Sequence, residues 1–476
     1  MGRMFCAGPL RLAGLAAHCF AAWGEGWWLK TSFILQFNFR GIFLALGMVC
    51  GIGAAFADTA EAQQSTQAGP DTDAAKLLLQ EGRFADAKNL LAAMRSKNPN
   101  DPDALFLSGL IALSEENYSR AADLFSRLLA QKPDMVRVRL EYARALFLDK
   151  KYNAAEREFR RARAGDLPPE VNANIDKYLS FIRYLKTWNM NVSIAVAPDT
   201  NINGAPGLHQ IDLFGIPFQL DDQARKASGV GVVIEAGGEY TPLVAERIKL
   251  RAGLQLRRAE YPGGDFDDML GAVHFGPKFL FPRADLSLLG TAFRRDFGNS
   301  PYQWGWGGRI EGNYSLSSTF FLGAAADLQD IHYDRKYAPA DRNGPLSALS
   351  ISLAHVLTPT STLRALGSIR RESAHSSAYA NTGYYLALGY AQEFPYGFST
   401  YVEPGLWHAS YDGRMIAFGK AREDKRWSVR FEVLNRKIEY GGFVPRISFT
   451  LAEQNSNIPL YSYKRQSIEF GLIQLF

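Results

Sequence analysis

The side chains that most often carry out chemistry are sparse in this chain of 476 residues. None of its seven histidines stands in an HExxH pattern or at ligand spacing from a carboxylate. The sequence holds no phosphate-cradling glycine loop, dinucleotide fingerprint or GxSxG elbow. His375-Ser376-Ser377 is the one cluster that could be read as an acyl-transfer nucleophile, but it lies in a short polar stretch and is expected to be a surface loop. No catalytic residue, metal site or cofactor is therefore expected, and an enzyme is not the reading. What function remains must be read from the elements the chain forms.

Composition narrows those elements. A hydrophobic share of 47% with 13% aromatics and 43 glycines does not suit a polytopic helical membrane protein, but it suits strands whose two faces differ. The chain has 53 Lys and Arg against 48 Asp and Glu. Four of the basic residues (Arg3, Arg11, Lys30, Arg40) and one acidic residue (Glu25) fall in residues 1–57, which leaves 49 against 47. With no basic run, a nucleic-acid partner is excluded. Behind Arg40, the apolar run Gly41 to Ala57 ends in Ala55-Phe56-Ala57, the pattern of a secretory leader. Residues 1–57 are thus expected to be an extended signal peptide, with residues 1–28 in excess of what a leader needs. A membrane anchor is the competing reading, although a spanning helix needs roughly 20 apolar residues. Cleavage after Ala57 would remove Cys6, Cys19 and Cys50, all the cysteines there are, as suits an oxidising compartment. Residues 58–70 read as a flexible linker.

Three series then recur every 34 residues: Phe84, Tyr118, Tyr152; Ala87, Ala121, Ala155; and Leu91, Phe125, Phe159. Pro99 and Pro133 close the first two units and Pro168-Pro169 the third. This pattern resembles the tetratricopeptide repeat (TPR), a pair of antiparallel helices that approach at the small alanine and stop at the proline. Val171, Ile175, Tyr178, Ile182 and Leu185 form one helical stripe, expected to cap the stack. Residues 71–186 are thus expected to be an all-α TPR solenoid in the periplasm. By repeat position its concave groove would present Asp103, Phe106, Leu110, Arg137, Leu140, Arg144 and Phe147 to an extended peptide or partner protein, with packing against neighbouring helices as the competing role.

From residue 187 to 476 the period becomes two. Tyr302, Trp304, Trp306, Ile310 and Tyr314 alternate with Gln303, Arg309, Glu311 and Asn313; Ile248, Leu250, Leu254 and Leu256 oppose Lys249, Arg251 and Arg257. A soluble sandwich would alternate too, so the turns decide. Tight connections near Pro242, Pro282, Ser317, Pro359, Pro395 and Asn435 are 35 to 42 residues apart. Longer polar connections fall between them, at about 260–267, 296–301, 334–345, 372–381, 409–425 and 453–460, with the longest at 203–224. Short turns on one side and long loops on the other predict an all-β transmembrane barrel of about fourteen antiparallel strands in the outer membrane of a Gram-negative bacterium. Tyr240, Tyr261, Phe281, Tyr396, Trp407 and Tyr440 are expected in interfacial girdles. The inward Arg and Glu residues are expected to pair and fill the lumen.

Leader, repeats and barrel together resemble the surface lipoprotein assembly modulators, called Slam proteins. The first strand ends in Pro198-Asp199-Thr200-Asn201-Ile202-Asn203, and the last strand carries Tyr461, Tyr463, Lys464 and Arg465 before the terminal Phe476, as in that family. Phe476 would be the barrel-insertion signal. The resemblance spans roughly residues 70–476. It implies a translocon that helps deliver surface lipoproteins or related secreted β-rich proteins from the periplasm to the cell surface. Its partners would be such a client, periplasmic chaperones, the barrel-insertion machinery and the lipid bilayer. Asp and Asn in the first phrase could equally shape a turn with their own backbone. Polysaccharide-export porins combine the same parts and are the alternative reading.

Overall fold

The computed structural model describes residues 70–334 and 340–474. The expected leader, the cysteines and Phe476 lie outside the described residues. The first described elements are seven helices: α1 (Pro70–Gln80), α2 (Phe84–Lys97), α3 (Pro102–Ser114), α4 (Tyr118–Gln131), α5 (Val136–Leu148), α6 (Tyr152–Ala162) and α7 (Pro169–Leu185). The Asp101 carboxylate caps α3 by accepting from the Ala104 N–H at 2.8 Å, and Pro102 follows at a position where a missing N–H costs nothing. Ala87, Ala121 and Ala155 are fully buried, with Leu91, Phe125 and Phe159 beside them. Gly109 shows why the packing is close: a Cβ there would lie 2.5 Å from the Phe125 ring. Helix α7 closes the stack. Its Tyr178 ring stacks on Phe159 with centroids 4.8 Å apart and meets Phe147 edge-on at 5.0 Å.

The strands follow: β1 (Trp188–Asp199), β2 (Gln210–Leu213), β3 (Ile216–Gln219), β4 (Gly229–Tyr240), β5 (Leu243–Ala245), β6 (Ile248–Glu260), β7 (Asp268–Leu280), β8 (Ala284–Phe297), β9 (Ser300–Ser315), β10 (Phe320–Tyr333), β11 (Gly344–Thr358), β12 (Ser361–Glu372), β13 (Asn381–Glu393), β14 (Phe398–Met415), β15 (Lys420–Asn435), β16 (Phe443–Ser456) and β17 (Tyr463–Gln474). β2 and β3 are a separate hairpin and β5 is a stub. The remaining 14 form an antiparallel sheet in which each strand pairs with its neighbours in sequence, and β1 pairs with β17 to close the barrel.

The barrel is polar inside and apolar outside. Trp306, Leu328 and Leu406 are each at least 60% exposed, whereas Arg251 is 2% exposed. In water that arrangement would be unstable; in lipid it is required. The inward charges pair: Arg251 reaches Glu239 at 2.6 Å and Glu311 at 3.1 Å, Arg309 reaches Asp327 at 2.8 Å, and Arg446 reaches Glu469 at 2.7 Å.

Four expectations are corrected. The connection at 296–301 is a two-residue turn, Gly298-Asn299, with both φ angles positive at 54° and 55°, as a tight hairpin requires. The stretch 409–425 is mostly strand, since β14 and β15 run on to a short turn at Ile416–Phe418; its glycines and charges hide the alternation. Trp407 is not in a girdle: its side chain is buried beneath the Arg370 guanidinium at 5.2 Å. Tyr302 also leaves the face it shares by parity with Trp304. The β8–β9 register slips beside it, between Arg295 and Asp296, and this bulge turns Tyr302 into a buried cluster with Phe293, Phe297 and Tyr333.

Candidate functional site: the docked repeat domain and the closing seam

The turns β7–β8, β9–β10, β13–β14 and β15–β16 lie on the same side as the repeat domain, and the solenoid is fastened across them. The principal fastener is Glu393, the last residue of β13. Its carboxylate accepts from Arg139 of α5 at 3.1 Å, from Arg161 of α6, and from Arg436 in the β15–β16 turn. Arg139 also binds Glu158 of α6 at 2.5 Å and the Pro133 carbonyl at 2.5 Å. All but Arg436 are buried, so the cluster is stable only while each charge keeps its partners.

A second contact lies nearer β1. Glu156 of α6 binds Arg160 at 2.8 Å and Lys186 at 3.3 Å, and Arg160 sits 4.4 Å over the Phe321 ring of β10. Asn153 donates to Asn189 at 3.1 Å. Arg183 of α7 donates to the carbonyls of Phe281 and Pro282 in the β7–β8 turn at 2.5 and 3.1 Å. Burial works to raise the Glu156 carboxyl, but Lys186 and Arg160 outweigh it and hold it at about 2. Burial likewise opposes ionisation of Glu158, and Arg139 and Arg161 overcome it, lowering its pKa. Between α6, α7 and the rim lies a cavity of about 440 Å³, lined by Arg160, Arg183, Lys186, Glu239, Lys249 and Lys278 among others.

The seven residues expected to line a groove fall on α3 and α5. Asp103, Arg137 and Arg144 are exposed, and Phe106, Leu110, Leu140 and Phe147 are half-buried. Glu141 draws Arg137 to 3.0 Å and Arg144 to 3.7 Å. Phe106 lies 6.0 Å from the Phe125 ring, and Phe147 is flanked by Tyr152 and by Tyr178 of α7. The aromatic members thus pack partly on the solenoid itself, leaving the charged ones outermost.

The two signature phrases, more than 250 residues apart, meet across the β1–β17 seam. Arg465 donates to Asp199 at 2.8 Å, Asn201 donates to the Lys464 carbonyl at 3.0 Å, and Thr200 and Gln466 exchange two bonds of 2.9 Å. The Asn201 amide also donates to the Ala205 carbonyl and accepts its N–H, and Asn203 bridges the Arg225 carbonyl and the Ala227 N–H. Both amides are buried. The ladder beneath is paired from Ser193 to Val196 and again at Asp199, with a break at Ala197 and Pro198; proline has no N–H to give. Above it, the long loop between β1 and β4 packs Ala205, Ile211 and Leu220 against Ile458, Leu460 and Tyr461, and Tyr461 lies 3.4 Å beneath the Arg422 guanidinium. His375-Ser376-Ser377 sits in the β12–β13 connection, where its backbone ties neighbouring loops together. No group of three metal-ligating side chains occurs among the described residues.

Residues Glu393, Arg139, Arg161 and Arg436 were not anticipated. The available signal was a charged pair, Glu158 and Arg161, on the face of α6 that also carries Ala155, Phe159 and Ala162. Charges on an apolar face call for a partner, but nothing in the spacing points to one 232 residues away.

Fold and site together define an outer-membrane β-barrel with a TPR domain docked across its periplasmic mouth. The chain belongs to the surface lipoprotein assembly modifier family: the model of that family matches residues 188–476, and the model of its N-terminal TPR repeats matches residues 72–159. It is 26% identical to surface lipoprotein assembly modifier 1 of Neisseria meningitidis serogroup B, over 77% of this chain and 75% of that one. It is 24% identical to the surface lipoprotein assembly modifier of Moraxella catarrhalis, over 77% and 72%. It is also 21% identical to the hemophilin secretion modulator of Acinetobacter baumannii, over 78% of each chain.

Proposed function

We propose that this chain is an outer-membrane translocon that helps deliver surface lipoproteins or related secreted proteins from the periplasm to the cell surface. The observation that carries this reading is the fastening of the repeat domain across the barrel mouth by Glu393, in a chain of the surface lipoprotein assembly modifier family. A client held on the solenoid would stand at the pore entrance, where tethering raises its effective concentration. Asp103, Arg137 and Arg144, with the partly covered Phe106, Leu110, Leu140 and Phe147, are the residues we assign to client contact. The client reaches them unfolded, with periplasmic chaperones, and the barrel itself is placed by the insertion machinery, which reads Phe476. The role is one of assembly and transport rather than catalysis.

The test is co-expression with a candidate client lipoprotein in a bacterium that lacks any such system. Protease added to whole cells should cleave the client only when this chain is present. Removal of residues 58–186 should leave an inserted barrel and abolish that cleavage. Protection of every candidate client from the protease would refute the reading.

A further inference from the structure

Helix α7 covers the end of the solenoid with one face, and its other face does not match a surface meant for water. Ile175 and Ile182 are buried in the solenoid core. On the opposite face, Lys177 and Ser180 are exposed in the middle of the helix, but Phe181, Tyr184 and Leu185 are 58%, 40% and 47% exposed in its last turns. Past Lys186 and Thr187, exposed apolar side chains resume on the outward face of β1, at Trp188, Met190, Ile194 and Val196. Those β1 positions belong to the lipid-facing wall of the barrel. The end of the helix is also held at rim height. Arg183 is bonded to the Phe281 and Pro282 carbonyls, the Lys186 carbonyl accepts from Lys249 at 2.6 Å, and the Phe281 side chain stands exposed at the same rim. The Trp188 and Tyr240 rings, 4.3 Å apart, are of the type that settles at the boundary of the hydrocarbon.

We propose that the last turns of α7 are immersed in the periplasmic leaflet of the outer membrane, so that Phe181, Tyr184 and Leu185 contact lipid and hold the repeat domain to the bilayer beside β1. A helix with a polar start and an apolar end, fixed at the rim and continuous with a lipid-facing strand, has the pattern of an interfacial anchor. The occupant of the apolar face is lipid because exposed apolar side chains resume as barrel wall within one turn. This inference stands apart from the delivery role, since it concerns only where the helix lies.

Cys6, Cys19 and Cys50 are the chain's only cysteines, and replacing them by serine leaves a background for single labels. A nitroxide is attached to Phe181→Cys, Leu185→Cys, Lys177→Cys or Ile194→Cys in the full chain, reconstituted in phospholipid vesicles. Collisional relaxation is read with oxygen, which concentrates in lipid, and with a water-soluble nickel chelate. Phe181 and Leu185 should follow Ile194, the barrel-wall reference, with an oxygen-to-nickel ratio several-fold above that at Lys177. A nickel-dominated signal at Phe181 and Leu185, with Ile194 still in lipid, overturns the proposal. Shielding of both positions from both reagents also overturns it, by showing a protein occupant. Retention of a lipid signal at Phe181 in a chain that delivers no client would separate this inference from the functional reading.

Discussion

The periplasmic mouth and the extracellular end of the seam both bury polar groups, but they satisfy them differently. Around Glu393 the partners are charges carried by separate elements, two from the solenoid and one from the barrel's β15–β16 turn. Around Asn201 the partners are mostly backbone groups of the chain's own turn and of β17. A charge cluster holds two bodies in register but gives little net stability against an apolar contact of equal size. An amide bonded to backbone fixes the course of the chain itself. The mouth is thus built as a joint between two bodies, and the seam as a permanent part of the barrel.

Breaking the joint should have the largest effect. Glu393→Ala leaves Arg139, Arg161 and Arg436 facing one another with one buried carboxylate fewer, and removal of one member of such a cluster costs about 3–5 kcal/mol. The repeat domain should become protease-sensitive in detergent while heat-dependent gel mobility of the barrel is unchanged; loss of both together would place Glu393 in the barrel's own stability. Acid should loosen the second contact, at Glu156, more mildly. Glu156 titrates at about 2 when docked against an ordinary 4.5. Its contribution is therefore complete above pH 4.5 and is lost as the pH falls toward 2. Energy transfer between labels on the solenoid and on the rim should hold steady from pH 7 to 5 and fall only below that.

The seam should respond in the opposite sense. Asn201→Ala strands the Lys464 and Ala205 backbone groups, at about 1–3 kcal/mol. It should lower the temperature at which the barrel loses its compact gel form and leave the solenoid docked. Smallest of all is an effect on the solenoid alone. Gly82, Glu116 and Lys150 occupy the same turn at intervals of 34, with φ of 74°, 59° and 60°. Only glycine takes that conformation freely; other residues lose about 1–2 kcal/mol there, part of which glycine's greater unfolded entropy offsets. Lys150→Gly should raise the stability of an otherwise unchanged solenoid by less than about 1 kcal/mol, read from denaturant unfolding.

Much of this was legible from periodicity. The alanine and aromatic series gave the solenoid because its contacts are local, and the tight turns at Pro242, Pro282, Ser317, Pro359, Pro395 and Asn435 all fall where strands reverse beneath the mouth. Parity failed at Tyr302, since a bulge leaves no mark on composition. Length failed at 409–425, because β14 and β15 run to 18 and 16 residues, more than the ~9–11 that a spanning strand needs, and lipid does not enforce alternation on the excess. The signature phrases were visible, but their meeting across the seam was not: Asp199 and Arg465 are adjacent only after the sheet has closed. The Glu393 joint was hidden for the same reason, since a long-range ion pair leaves two separate charges in the sequence and no period to connect them.

The account depends most on the docked solenoid being what presents a client to the barrel. The direct measurement is protease access to a co-expressed client lipoprotein on whole cells, comparing the native chain with Glu393→Ala at equal barrel content in the outer membrane. A client exposed with the native chain and largely retained inside with Glu393→Ala is the predicted result. Equal exposure in both, with the repeat domain shown to be undocked, would contradict it.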